Sequence, residues 1–525
     1  MTDAVVVGAG PNGLVAANLL ADAGWSVLVL EANDEPGGAV RSGHITAPGY
    51  LSDLFSAFYP LGYASPVLRG LSLDRYGLRW RNAPQVLAHP LPDGRCAVLS
   101  RDVAVTAASL DGFAAGDGDA WRRLYERWLA VGPDLLDALF RPFPPVRPGL
   151  RLLRTLGAAD ALRFARFGLQ PVRRFGEEEF GGEGAPLLLA GNAMHTDLPP
   201  EGPGSAVFGW LLAMLGQQVG YPVPEGGAGR LSAALADRLQ DRGGEVACGR
   251  RVSEVIVRQG RAVGVRTADG EQIPAARAVL ADVAAPLLYR HLVGAEHLPP
   301  RLLDDLRRFQ WDSPTLKVDW ALSGPVPWKA EGPRGAGTVH LGGTMDDLTR
   351  FATELVTGQP SGHLFVVLGQ MTTADPSRSP AGTESAWGYT HLPHRYRGPE
   401  DVQRYVERME RTIEEYAPGF RALVVARHVA GPGDLQRADA SLVEGAVNGG
   451  TAAIYQQLFF RPLPGTGRPE TPVRNLYLAG SSAHPGGGVH GACGANAARA
   501  ALVADRPGGR LATRALFATT RRLYR

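Results

Sequence analysis

The sequence predicts an α/β fold in which a dinucleotide-binding domain is interrupted by a mixed α+β substrate domain. Three observations predict it: the run Val5-Val6-Val7-Gly8-Ala9-Gly10-Pro11-Asn12-Gly13, an acid (Glu31) at the tip of the next apolar run, and a second glycine-rich loop from Gly480 to Gly494 that again leads into a helix.

The first run reads as a buried strand, a tight turn and a helix over residues 14–23. Gly8 permits the sharp turn, Gly10 lets the backbone approach a pyrophosphate, and Gly13 lets helix and strand pack closely. Phosphates would then sit at a helix N-terminus, where free N–H groups and the helix dipole favour negative charge. Glu31 ends the run Val27-Leu28-Val29-Leu30, where a carboxylate accepts both hydroxyls of an adenosine ribose and disfavours a 2′-phosphate. The motif alone does not separate NAD from FAD. Next comes Glu35-Pro36-Gly37-Gly38-Ala39-Val40-Arg41, read either as a loop beside the phosphates with Arg41 as charge partner, or as a surface turn with a solvated arginine.

Residues 71–220 read as largely helical, punctuated by Pro142, Pro144, Pro145 and Pro148, and look like an insertion. A glycine-rich segment then opens a helix through Leu239 that Gly243-Gly244 stops, and strands are expected at 245–248, 252–258, 262–267 and 278–281. Further strands are expected at 315–322 and 363–368, an amphipathic helix at 402–416, a strand at 475–480, and a helix at 489–504. The expected division is residues 1–70, 221–305 and 441–505 for the dinucleotide, 71–220 and 306–440 for substrate, and 506–525 as a basic tail.

At 525 residues and 45% hydrophobic composition the chain has ample material for two cores. A net charge of +2 gives no bulk affinity for nucleic acid. Three distant cysteines, Cys96, Cys248 and Cys493, include no C-x-x-C pair, which excludes a sequence-local dithiol and suits a reducing, cytoplasmic compartment. The strand begins too early for a signal peptide, no apolar run reaches the length of a membrane helix, and no spacing resembles a metal-ligand set. Arg141, Arg147, Arg151, Arg154, Arg163, Arg166, Arg173 and Arg174 lie among leucines and phenylalanines with only Asp160 opposing them in sequence. They, and the arginine-rich tail, read either as a solvated face or as a peripheral contact with anionic lipid.

Together residues 5–24, the Gly37-Gly38 loop, residues 224–231, 415–420 and 433–435, and above all LYLAGSSAHPGGGVHGACGANAA at 476–498 resemble the phytoene-desaturase-related flavoproteins. These share the glutathione-reductase-like FAD fold with amine oxidases, and the likeness is strongest to the group containing pyridine nucleotide-disulfide oxidoreductase domain-containing protein 2. The resemblance implies noncovalent FAD. Gly8, Gly10, Gly13 and Glu31 would hold its adenosine diphosphate half, Gly37, Gly38 and Arg41 the middle, and the Val252 backbone the adenine. Gly480 would approach the ribityl phosphate, and the backbone at Val489 and His490 would face the flavin pyrimidine edge. It further implies a small apolar substrate of isoprenoid or polyene type and an external electron acceptor such as oxygen or a quinone; the oligomeric state stays open.

Few polar groups are needed to dehydrogenate a hydrocarbon, so catalytic residues are hard to read. His195 and Asp197 could act as acid or base, or as hydrogen-bonded structural groups; for His484 and His490 backbone or packing roles compete with proton transfer. Tyr455 and Gln456 are expected in the core or against a pocket. Lys317 invites comparison with the flavin-proximal lysine of amine oxidases but reads better as a sheet lysine. Amine oxidation is therefore the alternative enzyme reading. A carrier of the Rab-escort and GDP-dissociation-inhibitor type, without flavin, is the alternative of another class.

Overall fold

In a computed structural model, which describes residues 2–396, 398–506, 508–509 and 524, two sheets organise the chain. It opens with β1 (Ala4–Val7), α1 (Pro11–Asp22) and β2 (Val27–Leu30). The helix starts earlier than the hydrophobic pattern indicates, because Pro11 at its first position is pre-set to a helical φ and has no N–H to lose. Within the stretch expected to be largely helical, β3 (Gln85–Pro90) and β4 (Cys96–Leu99) precede α2 (Asp117–Leu139), α3 (Val146–Phe167), α4 (Gly184–Ala193) and α5 (Ser205–Val219). Next in the chain are α6 (Gly229–Asp241), β5 (Glu245–Ala247), β6 (Val252–Arg258), β7 (Arg261–Thr267) and β8 (Ala278–Ala281). The remainder includes β9 (Thr315–Leu322), β10 (Ala336–Leu341), β11 (Val366–Gln370), β12 (Glu384–His391), α7 (Pro399–Tyr416), β13 (Val424–Ala430), α8 (Pro432–Ala438), β14 (Leu476–Leu478) and α9 (Ala492–Asp505).

The result is a mixed α/β fold with a parallel sheet. Strand order in that five-stranded sheet is β14-β8-β1-β2-β5, every neighbouring pair parallel, with Ala4 opposite both Ala278 and Val27. Parallel pairing requires crossovers, which α1 and the long intervening segments supply. Leu14, Val15 and Leu20 of α1 and Leu231, Leu235 and Leu239 of α6 pack in one core with Val6 and Val29, while Val5, Val7 and Val279 pack in another with Leu288, Leu302 and Leu306. Strands covered on both faces are apolar throughout, as β1 is.

The second sheet has seven strands in the order β13-β9-β12-β11-β10-β3-β4, antiparallel except where β10 runs beside β3. Leu316, Val318, Trp320 and Leu322 join a core with Met409, Ile413 and Phe420, and α4 and α5 cover the β3–β4 end. The residues between them, Thr315, Lys317 and Asp319, are also buried, so β9 is covered on its polar side as well.

A wholly buried ion triad ties loops of the two regions together. Arg378 lies 3.0 Å from Asp53 and 2.9 Å from Asp375. These acids accept the N–H groups of Ala228 and Gly226 respectively, at 2.7 and 2.8 Å, and so fix the approach to α6.

The basic stretch around α3 is not left unopposed. Arg151 pairs with Asp134 and Asp137, Arg166 with Glu178, and Arg173 with Glu201 and Asp346. The opposing acids come from other elements, which a reading along the chain misses. Arg147 and Arg154 have no ion pair among the described residues. The basic tail expected at residues 506–525 lies nearly all outside the described residues. Tyr455 is not core: it is 60% exposed, with Leu458 and Phe459 also exposed beside it.

Candidate flavin site

A cleft of about 330 Å³ runs along the C-terminal ends of the parallel strands and takes its walls from both ends of the chain. Gly8, Gly10, Asn12, Glu31 and Gly38 come from the first forty residues, Val252 and Asp282 from the middle, and Gly480 and Gly486 to Val489 from the end. Ligands bind at this edge of open parallel sheets because the strands present helix N-termini there.

The turn is built as its glycines require. Gly8 has φ +95°, and a Cβ there would lie 2.7 Å from the Asp282 carbonyl oxygen. A Cβ on Gly13 would overlap the Gly8 carbonyl, and one on Gly480 the Val283 backbone. A Cβ on Gly10 would sit 2.6 Å from Oδ2 of Asp282, the end of a side chain that would have to shift. Glu31 is buried at the strand end, its Oε2 accepting the Ala9 N–H at 2.8 Å and its Oε1 the Asn33 N–H at 2.8 Å. Those bonds fix the carboxylate at the cleft wall.

The Gly37-Gly38 loop lies beside the turn, with Gly37 donating to the Ala9 carbonyl at 2.8 Å. Arg41 turns back to it: Nε donates to the Gly38 carbonyl and Nη2 to the Ala438 carbonyl, both at 2.9 Å, with the guanidinium over the Phe55 ring. It pins the loop rather than lining the cleft. Arg251 and Arg437 do line it, as does His291, and the motifs mark none of the three.

At the far end Val489 holds φ +53°, a left-handed conformation costly for a β-branched residue, and Gly491 holds φ +69°. Both lie outside the helix, which is why α9 begins at Ala492 rather than at Val489. His490 is buried with its Nδ1 accepting the Ala492 N–H at 3.0 Å and its ring 4.9 Å from that of Phe140. Burial pushes His490 and His484 down to about 4, so both are neutral. Nearby, the buried Arg461 donates to the carbonyls of Asn448 and Ser481 at 2.7 and 2.9 Å, joining the 448–451 loop to the 481–488 loop.

His195 and Asp197 lie elsewhere. Asp197 accepts the Thr451 hydroxyl at 2.5 Å and the Ala452 N–H at 2.8 Å, and with His391 lines a separate cavity of about 290 Å³. His195 Nε2 lies 2.6 Å from His340 Nε2, and burial lowers both rings, His195 to about 4. Lys317 is clamped by both oxygens of Asp319 at 2.5 and 2.6 Å, opposite Tyr389 and Trp387 on β12.

The residue that sequence reasoning missed is Asp282, just past β8. Its Oδ2 accepts the Gly13 N–H at 2.7 Å, directly at the start of α1. Nothing marks it locally, because only pairing of residues 278–281 with residues 4–7 brings it to the glycine turn.

Comparison with known proteins agrees with this geometry. The model of the flavin-containing amine oxidoreductases matches residues 12–502. The chain belongs to that family. It is 30% identical to pyridine nucleotide-disulfide oxidoreductase domain-containing protein 2 of Mus musculus, over 94% of this chain and 92% of the relative. It is 27% identical to a lycopene-forming phytoene desaturase of Pseudescherichia vulneris, over 96% and 99% of the two chains. An oxidoreductase from Methanosarcina mazei shares the fold, with a TM-score of 0.61 at 18% identity, covering 95% of this chain and 99% of that one. The cofactor of this flavin-containing family is FAD, and the cleft suits it: an acid for the ribose, glycines where a Cβ would intrude, and a helix start for the phosphates.

Proposed function

We propose that this flavoprotein dehydrogenates, saturates or isomerises a C–C bond of an apolar, isoprenoid or polyene-like substrate. The observation that carries the reading is the apolar surface beside the 484–490 loop. Phe140 packs on His490, and Phe143 packs between His484 and Phe459, with ring centroids 6.3 and 5.4 Å away. From Phe143 the exposed side chains of Val146, Leu150 and Leu153 continue along α3, and from Phe459 those of Leu458 and Ile454 along the adjoining loop. Exposed apolar side chains gathered on one helix and one loop suit an interaction surface. The full-length likeness to phytoene desaturases supports the same substrate class.

FAD, when bound, would supply the two-electron acceptor. The residues of this chain would position it: Gly8, Gly10, Gly13 and Glu31 at the adenosine diphosphate half, Gly37, Gly38 and Arg41 around the loop beside it, and the Val252 backbone at the adenine. Gly480 and the backbone at Val489 and His490 would hold the flavin end. The neutral, buried His484 and His490 favour packing over proton transfer there. We assign the parallel sheet, in a glutathione-reductase-like arrangement, to the cofactor and the seven-stranded sheet to substrate. Support for that division is that the parallel sheet takes its strands from residues 4–30, 245–281 and 476–478, the other from residues 85–99 and 315–430. The same apolar surface, flanked by Arg147 and Arg154, would rest on lipid and admit substrate; no described helix is long and apolar enough to cross a membrane.

Anaerobic mixing of the holoprotein with isoprenoids, fatty acyl compounds and amines tests the reading. Bleaching of the flavin by an isoprenoid is expected, and bleaching by amines alone overturns it. A second reading, amine oxidation, is favoured by one observation: Lys317 lies buried with its Nζ 6.0 Å from the Trp387 ring, which stacks on Tyr389. Brisk peroxide release from an amine would establish it.

A further inference from the structure

Three carboxylates, those of Glu31, Asp282 and Asp439, line a cleft suited to a cofactor whose pyrophosphate is itself doubly charged. Glu31 has a use for its charge, since two N–H groups and a ribose favour it. Asp282 has none. Its Oδ2 takes the Gly13 N–H at the start of α1, where the phosphates are expected, and its Oδ1 has no partner among the described residues. We propose that Asp282 is a cofactor-binding residue that holds FAD as the neutral acid, so that the protein takes up a proton at Asp282 when FAD binds above neutral pH.

The proposal deepens the flavin assignment and rests on it. An ionised Asp282 would place a third negative charge beside the pyrophosphate and compete for the same helix start; a protonated one keeps the Gly13 bond and offers a hydroxyl to a phosphate oxygen. The groups facing it sharpen the case. From β2 comes Glu31, from the end of α8 Asp439, and from α9 Cys493, a thiol pushed up to about 12 by burial. Glu31 and Asp439 both raise the Asp282 pKa, and with burial as the main cause it reaches about 8 before any phosphate is present. The cations on the cleft wall, Arg251 and Arg437, are not among the charges that shift it. A bound pyrophosphate moves the pKa further in the same direction.

The test is the FAD dissociation constant of the full-length holoprotein, measured by ultrafiltration after dilution from pH 6 to pH 9.5, with circular dichroism at each pH. For the wild type the constant is expected to rise by about tenfold per pH unit above pH 8, the signature of one coupled proton. Asp282→Asn, which keeps an acceptor for Gly13 N–H, is expected to match wild type at pH 6 and to stay within about threefold across the range. Asp282→Ala, lacking that acceptor, should bind FAD more weakly at every pH and equally flatly. A wild type that is flat to pH 9.5, or an Asp282→Asn variant with the wild-type slope, overturns the proposal while leaving the flavin assignment intact. A protein that holds no FAD even at pH 6 overturns both.

Discussion

In the glycine-lined cleft most groups that face a ligand are backbone groups, held by a turn and by two strand ends. On the polar side of the seven-stranded sheet the groups are side chains, and several satisfy one another: Lys317 with Asp319, His195 with His340. The cleft is shaped by glycines where a Cβ would intrude, whereas the sheet face satisfies its polar groups internally. A buried, closed network specifies packing, and a backbone-lined gap at a helix start suits a ligand.

The comparison breaks most completely at Gly13. Gly13→Ala drives a Cβ into the Gly8 carbonyl, with no flexible side chain to yield, so the purified variant is expected to be colourless and to melt at least several degrees lower. Retention of a full complement of FAD would show that the turn is not as tight as described. Next in size is Arg378→Ala, which leaves Asp53 and Asp375 buried without their cation. A loss of about 3–5 kcal/mol in urea denaturation is expected. A loss below about 1 kcal/mol would mean the triad does not hold the two regions together.

Asp282 and the buried histidines should also respond to pH with opposite sign. Asp282, raised from 3.8 to about 8, stabilises the apoprotein fully only below pH 3.8, and that contribution is lost as pH rises through 8. His89 and His195, lowered from 6.5 to about 4, contribute fully above pH 6.5 and lose it as pH falls through 4. Urea midpoints of the apoprotein should thus fall below pH 6.5 as the histidines protonate and fall between about pH 6.5 and 8 as Asp282 ionises, levelling above 8, and Asp282→Asn should remove that alkaline limb. An unchanged alkaline limb in that variant would count against it. The smallest effect expected on stability is that of Leu153→Asp on the exposed face of α3, within about 0.5 kcal/mol. The same change should markedly weaken binding to anionic vesicles, and equal binding would remove the lipid contact from the functional reading.

The same contrast explains what was legible in the sequence. The turn, Glu31 and the 476–498 segment are local patterns, readable because one strand, one turn and one helix start are contiguous. Residues such as Asp282 and His340 matter through partners far away in sequence, and their neighbours carry no signal. The strands at 85–90, 336–341 and 384–391 went unread for a related reason. Each is buried along most of its length, so the alternation that marks a half-buried strand is absent. The basic stretch misled in the other direction, since its charges are answered by acids on other elements.

Gly494 lies so close to the Asn12 carbonyl that a Cβ there would overlap it. Helix α9 thus seats directly on the first turn, and β14 is, among the described residues, the outermost strand beside β8. During synthesis the opening glycines must therefore wait for the residues that complete their wall. At about 5–20 residues per second, that interval is on the order of half a minute to a minute and a half. A chain cut short before residue 476 would carry the whole opening motif and still have no complete cleft in which to use it.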